Sequence, residues 1–187
     1  MKKFSNGIVC GRFQPLHNGH CSVIDKAISE CEKVSIFIGS AQESGTAKNP
    51  YRYEIRKFFI ELVYGNKVTV FPMPDMSSPN APIENWKGKW GRFFLKKVYK
   101  SLGCMPDAIY TGAENIRNSW FYPEDIKDIE IVEVSRDTIP ISATEIRNKI
   151  INGEDINGYI PKELVDIFNN KKARQKLKKI MQGENNI

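Results

Sequence analysis

Histidine is almost missing from this sequence: there are two in 187 residues, His17 and His20. Cysteine is sparse too. Cys10, Cys21, Cys31 and Cys104 form no C-x-x-C pair, and two histidines committed to one stretch cannot complete a four-ligand zinc site with them. Their apolar settings suit buried, reduced thiols and a cytoplasmic location. No apolar run approaches the length that spans a bilayer, so no membrane partner is expected. Met1–Asn6 is too polar to open a signal peptide. Two common phosphate-binding patterns are absent as well, G-x-G-x-x-G and G-x-x-x-x-G-K-[ST], which excludes the dinucleotide fingerprint and the P-loop.

What is present is ordinary in bulk. Hydrophobic residues make up 41% and charged residues 27%, as in a typical globular chain of one domain. The formal net charge of +6 suits anionic partners. Much of that excess lies in the tail, where Lys171, Lys172, Arg174, Lys176, Lys178 and Lys179 crowd together. Such a run reads as a solvated helix face rather than a nucleic-acid site.

Short apolar runs alternate with helical spacing. Residues 7–10, 34–38, 68–71, 108–111 and 129–134 predict five strands. Val23, Ile24, Ala27, Ile28 and Cys31 predict a helix over 18–31. Ile55, Phe58, Phe59, Leu62 and Val63 mark a second, and a third covers about 86–102. Ser142-Ala143-Thr144-Glu145 is a capping box for a helix that reaches Gly153, and Pro161 starts the last one. This order predicts an α/β domain, a parallel sheet with helices on both faces. The whole of 1–187 reads as one domain, with 154–187 as a C-terminal helical extension.

Both histidines fall in Gly11-Arg12-Phe13-Gln14-Pro15-Leu16-His17-Asn18-Gly19-His20, directly after the first strand. That places two imidazoles and an arginine at a helix start, where unpaired backbone N–H groups and the positive end of the dipole suit phosphate. Far downstream stands Ile141-Ser142-Ala143-Thr144-Glu145-Ile146-Arg147. Together these blocks resemble the HxGH-motif nucleotidyltransferase superfamily, whose Rossmann-like fold the strand–helix order fits. Ile38-Gly39-Ser40-Ala41-Gln42-Glu43-Ser44, then Lys48-Asn49-Pro50-Tyr51 and Arg56, then Met73-Pro74-Asp75-Met76 and Tyr110-Thr111-Gly112, are similar to the archaeal-type nicotinamide-mononucleotide adenylyltransferases. Gly45 stands where that family usually has histidine, and the loop after Asp75 is longer than the family pattern.

The resemblance implies transfer of AMP from ATP to a mononucleotide, with Mg²⁺ accompanying ATP and a homo-oligomer compatible with the pattern. It implies that His17, His20 and Arg147 act on the phosphates in catalysis. Gly11, Arg12, Phe13, Lys48, Thr111, Gly112, Ile141, Ser142 and Thr144 would bind ATP. Ser40, Gln42, Asp75 and Trp86 would bind the acceptor. No residue is implied as a dedicated metal ligand. Simpler readings stand beside several of these: Ser142 as a plain N-cap, Asp75 as a loop cap, Trp86 with Trp90 as an apolar helix face. Cytidylyltransferases usually carry Arg-Thr-x-Gly ahead of the Ile-Ser block; here that place reads Asp137-Thr138-Ile139-Pro140, which argues against a cytidine donor.

Overall fold

Ile8 and Val9 are neighbours on β1 (Phe4–Gly11), point to opposite faces, and are both almost completely buried. A strand covered on both sides belongs inside a parallel sheet. The structure, a computed structural model, describes residues 1–76, 88–112, 120–135 and 141–183. In it the chain runs β1, α1 (Asn18–Glu30), β2 (Cys31–Ile38), α2 (Tyr53–Tyr64), β3 (Thr69–Pro72), α3 (Lys89–Leu102), β4 (Ala108–Thr111), β5 (Glu130–Glu133), α4 (Ala143–Asn152), α5 (Lys162–Asn169) and α6 (Lys171–Met181). The sheet order is β3-β2-β1-β4-β5 and every pairing is parallel, with Val9 opposite both Ile36 and Tyr110.

Alternation along the strands sorts the core into two layers. Val9, Ile36, Ile38, Ala108 and Tyr110 pack with Val23 and Ile24 of α1, Phe59 and Ile60 of α2, Ile146 of α4, Leu164 and Phe168 of α5 and Leu177 of α6. Ile8, Phe37 and Ile109 face the other way, against Phe94, Leu95 and Val98 of α3. The first three strands therefore step outward under helices on one face. The crossover to β4 jumps back past β1 with α3 on the opposite face, as right-handed connections require. The order reverses between β1 and β4, so the crevice at their carboxyl ends is where this architecture takes ligands.

Some boundaries differ from the sequence expectation. β1 begins at Phe4 and β2 at Cys31, three residues early in each case, because Phe4 pairs with Cys31 and Asn6 with Lys33. Polar Lys3, Ser5, Asn6 and Lys33 hide this pairing from an apolar-run reading. On the other side of β1, the carboxylate of Asp107, just ahead of β4, holds the strand's start by accepting the Ser5 and Asn6 amides at 3.0 and 2.8 Å. The C-terminal stretch holds two helices rather than one. Asn170 breaks it and caps the second, its side-chain oxygen accepting the Lys172 and Ala173 amides. Ile156 and Ile160 ahead of them are buried in the first core layer. Among the described residues no helix is long and apolar enough to cross a membrane.

Candidate active site

The segment after β1 is built around Phe13. Its φ of +51° is a left-handed conformation that a non-glycine residue rarely adopts, held here because its ring is 1% exposed. A Cβ on Gly11 would sit 3.1 Å from that ring, so glycine gives the ring its place. Phe13 supports His20 at 4.8 Å between ring centroids, and the His20 ring lies 3.8 Å from that of His17, tilted 35°. His17 is the N-cap of α1 and is 2% exposed. Its Nδ1 accepts the Gly19 amide at 3.2 Å, which assigns the neutral ring's proton to Nε2.

The helix start differs from the expectation of unpaired amides. The Asn18 N–H donates to the Tyr159 carbonyl at 2.8 Å, the Gly19 N–H to His17 Nδ1, and those of His20 and Cys21 to the His17 carbonyl. Asn18 Nδ2 also donates to the Gly158 carbonyl at 2.8 Å. The loop before α5 thus occupies the first amide of α1. What α1 offers an anion is its dipole and the His17 and His20 rings.

Two buried arginines close the region. Arg147, on the inner face of α4, donates through Nη1 to the Gln14 carbonyl at 2.7 Å and through Nη2 to Thr144 Oγ1 at 3.1 Å. This ties the downstream motif to the loop of the upstream one across 133 residues. Arg56, on α2, is 0% exposed. Its Nη1 reaches the Arg12 and Gly39 carbonyls at 2.9 and 2.7 Å, and its Nη2 the Ser40 carbonyl at 2.9 Å. Among the described residues neither guanidinium has a carboxylate in ion-pair range, and the Nε of each is buried without an acceptor. Burial, and then the like charge of Arg12, lower both; Arg56 comes down to about 10. Asp75 and Glu54 pull Arg56 the other way, and Tyr51 does so for Arg147. Arg147 and the exposed Arg12 suit a polyphosphate, whereas the Arg56 fork is taken up by main-chain carbonyls.

Gln14 and Arg56 were not singled out as site residues from the sequence. The Gln14 side chain is 2% exposed and pairs with the Tyr51 backbone in both directions at 2.9 Å, holding the first loop against the start of α2. Arg56 belongs to one of the family blocks, and it sits three and four residues before Phe59 and Ile60 on the buried face of α2; that face holds Tyr64 as well, while the expected Phe58 and Leu62 are exposed.

The other expected residues take these places. Ser142 caps α4, and the full capping box is present: Ser142 Oγ accepts the Glu145 amide at 3.2 Å and Glu145 Oε2 the Ser142 amide at 2.7 Å. Those bonds hold the Glu145 carboxyl below its usual range. Ile141 is buried, while Thr144 is exposed beside Arg147. Thr111 ends β4, buried, and Gly112 follows at the crevice. Ser40, with φ +47°, is buried at the end of β2. Gln42 and Asp75 hold each other: the Asp75 amide donates to Gln42 Oε1 at 3.1 Å and Gln42 Nε2 to Asp75 Oδ2 at 3.4 Å. Lys48 is exposed on a loop stapled by Asn49, whose amide reaches Thr46 Oγ1 and whose Nδ2 reaches Glu43 Oε2. Trp86 and residues 137–140 lie outside the described residues. Trp90 packs on Phe94 and Trp120, at 5.1 and 4.4 Å between centroids.

The model of the cytidylyltransferase-like family matches residues 8–149, which run from the core of β1 through Arg147. This chain belongs to that family. Within it, the chain is 28% identical over 177 residues to a nicotinamide-nucleotide adenylyltransferase of Thermococcus onnurineus, covering 92% of this chain and 86% of that protein. A nicotinamide-nucleotide adenylyltransferase of Thermococcus sibiricus is 30% identical over 178 residues, with 92% and 87% covered. Among solved structures, a bifunctional NMN adenylyltransferase/ADP ribose pyrophosphatase from Francisella tularensis, complexed with AMP and a Mn ion, superposes with a TM-score of 0.73 at 25% identity. It matches 97% of this chain, which spans 53% of that longer one.

Proposed function

We propose that this family member transfers AMP from ATP to nicotinamide mononucleotide, giving NAD and pyrophosphate. The observation that carries the reading is the junction of Arg147 with the Gln14 carbonyl. It brings the two phosphate-directed motifs together at the reversal point of the sheet, in a chain 28–30% identical to proteins of that activity.

The chemistry joins two anions. A phosphate oxygen of the mononucleotide attacks the α-phosphorus of ATP. The new P–O–P bond forms as the bond from the α-phosphorus to the bridging oxygen breaks, and pyrophosphate leaves with the electron pair. No covalent protein nucleophile is needed; positioning and positive charge lower the barrier. His17, with its proton on Nε2, and His20 beside it donate to the phosphates. Arg147 and Arg12 hold the outer phosphates, and Lys48 reaches in from its loop. Thr111 and Gly112 meet the adenosine at the end of β4. Ser40, Gln42, Asp75 and Trp86 receive the acceptor.

Mg²⁺ enters as part of the ATP substrate. Among the described residues no three His, Cys, Asp or Glu side chains converge to cage an ion. Such an ion would be carried in on the phosphates, whose negative charge matches the cationic lining. When bound with ATP it would supply charge neutralisation to the triphosphate.

The test is product analysis by mass spectrometry, with purified protein, Mg²⁺, ATP or CTP, and a panel of phosphorylated acceptors. NAD from ATP and nicotinamide mononucleotide, with CTP a poor donor, is the expected result. Robust adenylylation of another acceptor with no NAD formed rejects the acceptor assignment.

A further inference from the structure

Arg56 is the largest fully buried side chain in the described structure, and it is charged. A guanidinium so placed is costly unless its donors are met. No carboxylate among the described residues pairs with it. Its acceptors are main-chain carbonyls, and they come from two different loops. Arg12 belongs to the loop that leaves β1 toward the His17–His20 pair. Gly39 and Ser40 belong to the loop that leaves the adjacent strand β2 toward Gln42. The two loops also meet through the Gly39 amide, which donates to the Gly11 carbonyl at 2.8 Å.

We propose that Arg56 is a positioning residue: from beneath, it clasps the phosphate-side loop at Arg12 and the acceptor-side loop at Gly39 and Ser40, and so sets the distance between the two substrates. The proposal rests on the adenylyl-transfer reading for what the loops carry, but the clasp itself is a matter of geometry. Arg12 and Ser40 show why a clasp is needed. Ser40 holds a left-handed φ of +47°, which its own chemistry disfavours, and its carbonyl is fixed by Arg56. Arg12 carries an exposed cationic side chain on a backbone whose carbonyl Arg56 fixes. The planar fork matters, because one lysine ammonium cannot span three carbonyls from two loops with the same directions. Arg56 touches no reacting atom in this account. It works by keeping the attacking oxygen and the α-phosphorus in line, where a shift of about 1 Å costs about a hundredfold in rate.

The experiment compares Arg56→Lys and Arg56→Gln with the unaltered protein. Folding is checked by thermal melting. ATP and nicotinamide mononucleotide affinities are measured separately by calorimetry, and turnover is measured with both present. The expected result is a kcat lowered about a hundredfold, with each substrate alone binding within about threefold of normal. Lysine should retain more turnover than glutamine. A folded variant with kcat within about threefold of normal overturns the proposal. So does one whose ATP affinity falls as far as its kcat, since Arg56 would then be a binding group.

Hydrogen exchange on the unaltered protein decides the matter without variants. The Tyr51 amide reports on the first loop through Gln14, and the Ala41 amide on the second through the Met73 carbonyl. A clasp makes both open together, with protection matching within about threefold. Protection differing by more than about tenfold overturns it, as the loops would then open independently. This readout stands even if neither variant folds. It also separates the two failures: absence of NAD from the unaltered protein sinks the reaction, whereas independent opening sinks the clasp.

Discussion

Replacing Arg147 by alanine tests the assignment of the downstream motif to the outer phosphates. Its guanidinium carries five N–H donors. One goes to the Gln14 carbonyl and one to Thr144 Oγ1, while Nε is buried without an acceptor among the described residues. Donors therefore remain for a phosphate. A charge-assisted hydrogen bond of this kind contributes about 1.5–3 kcal/mol. At about 1.4 kcal/mol per tenfold, Arg147→Ala should weaken ATP about ten- to a hundredfold. AMP, which lacks the β- and γ-phosphates, should lose less than about threefold. Arg147→Lys keeps the charge and loses the fork, so it should fall between. The substitution also leaves the buried Gln14 carbonyl without its donor, which costs about 1–3 kcal/mol of stability. In a chain of this size each kcal/mol lowers Tm by about 2–4 °C, so binding must be measured well below the melt. Calorimetric titration of ATP and AMP, side by side, gives the answer. Equal weakening of both nucleotides, or of neither, refutes the idea that Arg147 reads the outer phosphates.

His20→Ala should lower turnover about a hundred- to a thousandfold while ATP affinity changes little, since its donor meets charge that develops in the transition state; near-normal turnover in steady-state assays rejects that role. Gly91→Ala should destabilise the protein by about 1–3 kcal/mol, because the new Cβ would collide with the Trp120 carbonyl oxygen and sit 2.7 Å from the Phe121 ring; an unchanged thermal melt contradicts this packing. Burial pushes the Cys10 thiol up to about 12, with the Asp75 charge adding to it, and the Cys21 thiol up to about 11. Both should stay protonated at pH 8 and resist iodoacetamide in the folded protein while reacting fully once unfolded, as read by peptide mapping.

The parts of this molecule that could be read in its sequence are those fixed by local chemistry. The five strand cores follow from short apolar runs, and Ser142 with Glu145 forms the capping box that its three-residue spacing dictates. Strand order was not readable in the same way. The reversal between β1 and β4 depends on which face each crossover helix covers, and that is decided by packing across the whole chain. The start of α1 shows a sharper limit. Local rules leave the first amides of a helix free, yet here the Asn18 amide donates to the Tyr159 carbonyl and the Asn18 side chain to that of Gly158, some 140 residues downstream. No local pattern announces that contact, because a carbonyl oxygen is supplied by any residue that the fold brings near.

The buried arginines join the two levels. Arg147 lies in a motif and could be nominated from its neighbours. Arg56 stands in one of the family blocks too, yet with no role attached there; its burial beside Phe59 and Ile60 makes it an anomaly, a charge on the apolar face of α2. An anomaly of that kind states a need without naming its partner. Sequence says that something must satisfy the guanidinium; the fold shows that the partners are the carbonyls of two loops from adjacent strands. Parallel neighbours deliver their carboxyl ends side by side, so a donor rising from α2 beneath them meets both loops at once. The same topology that opens the crevice to ligands thereby supplies the carbonyls that a single buried cation can bind together.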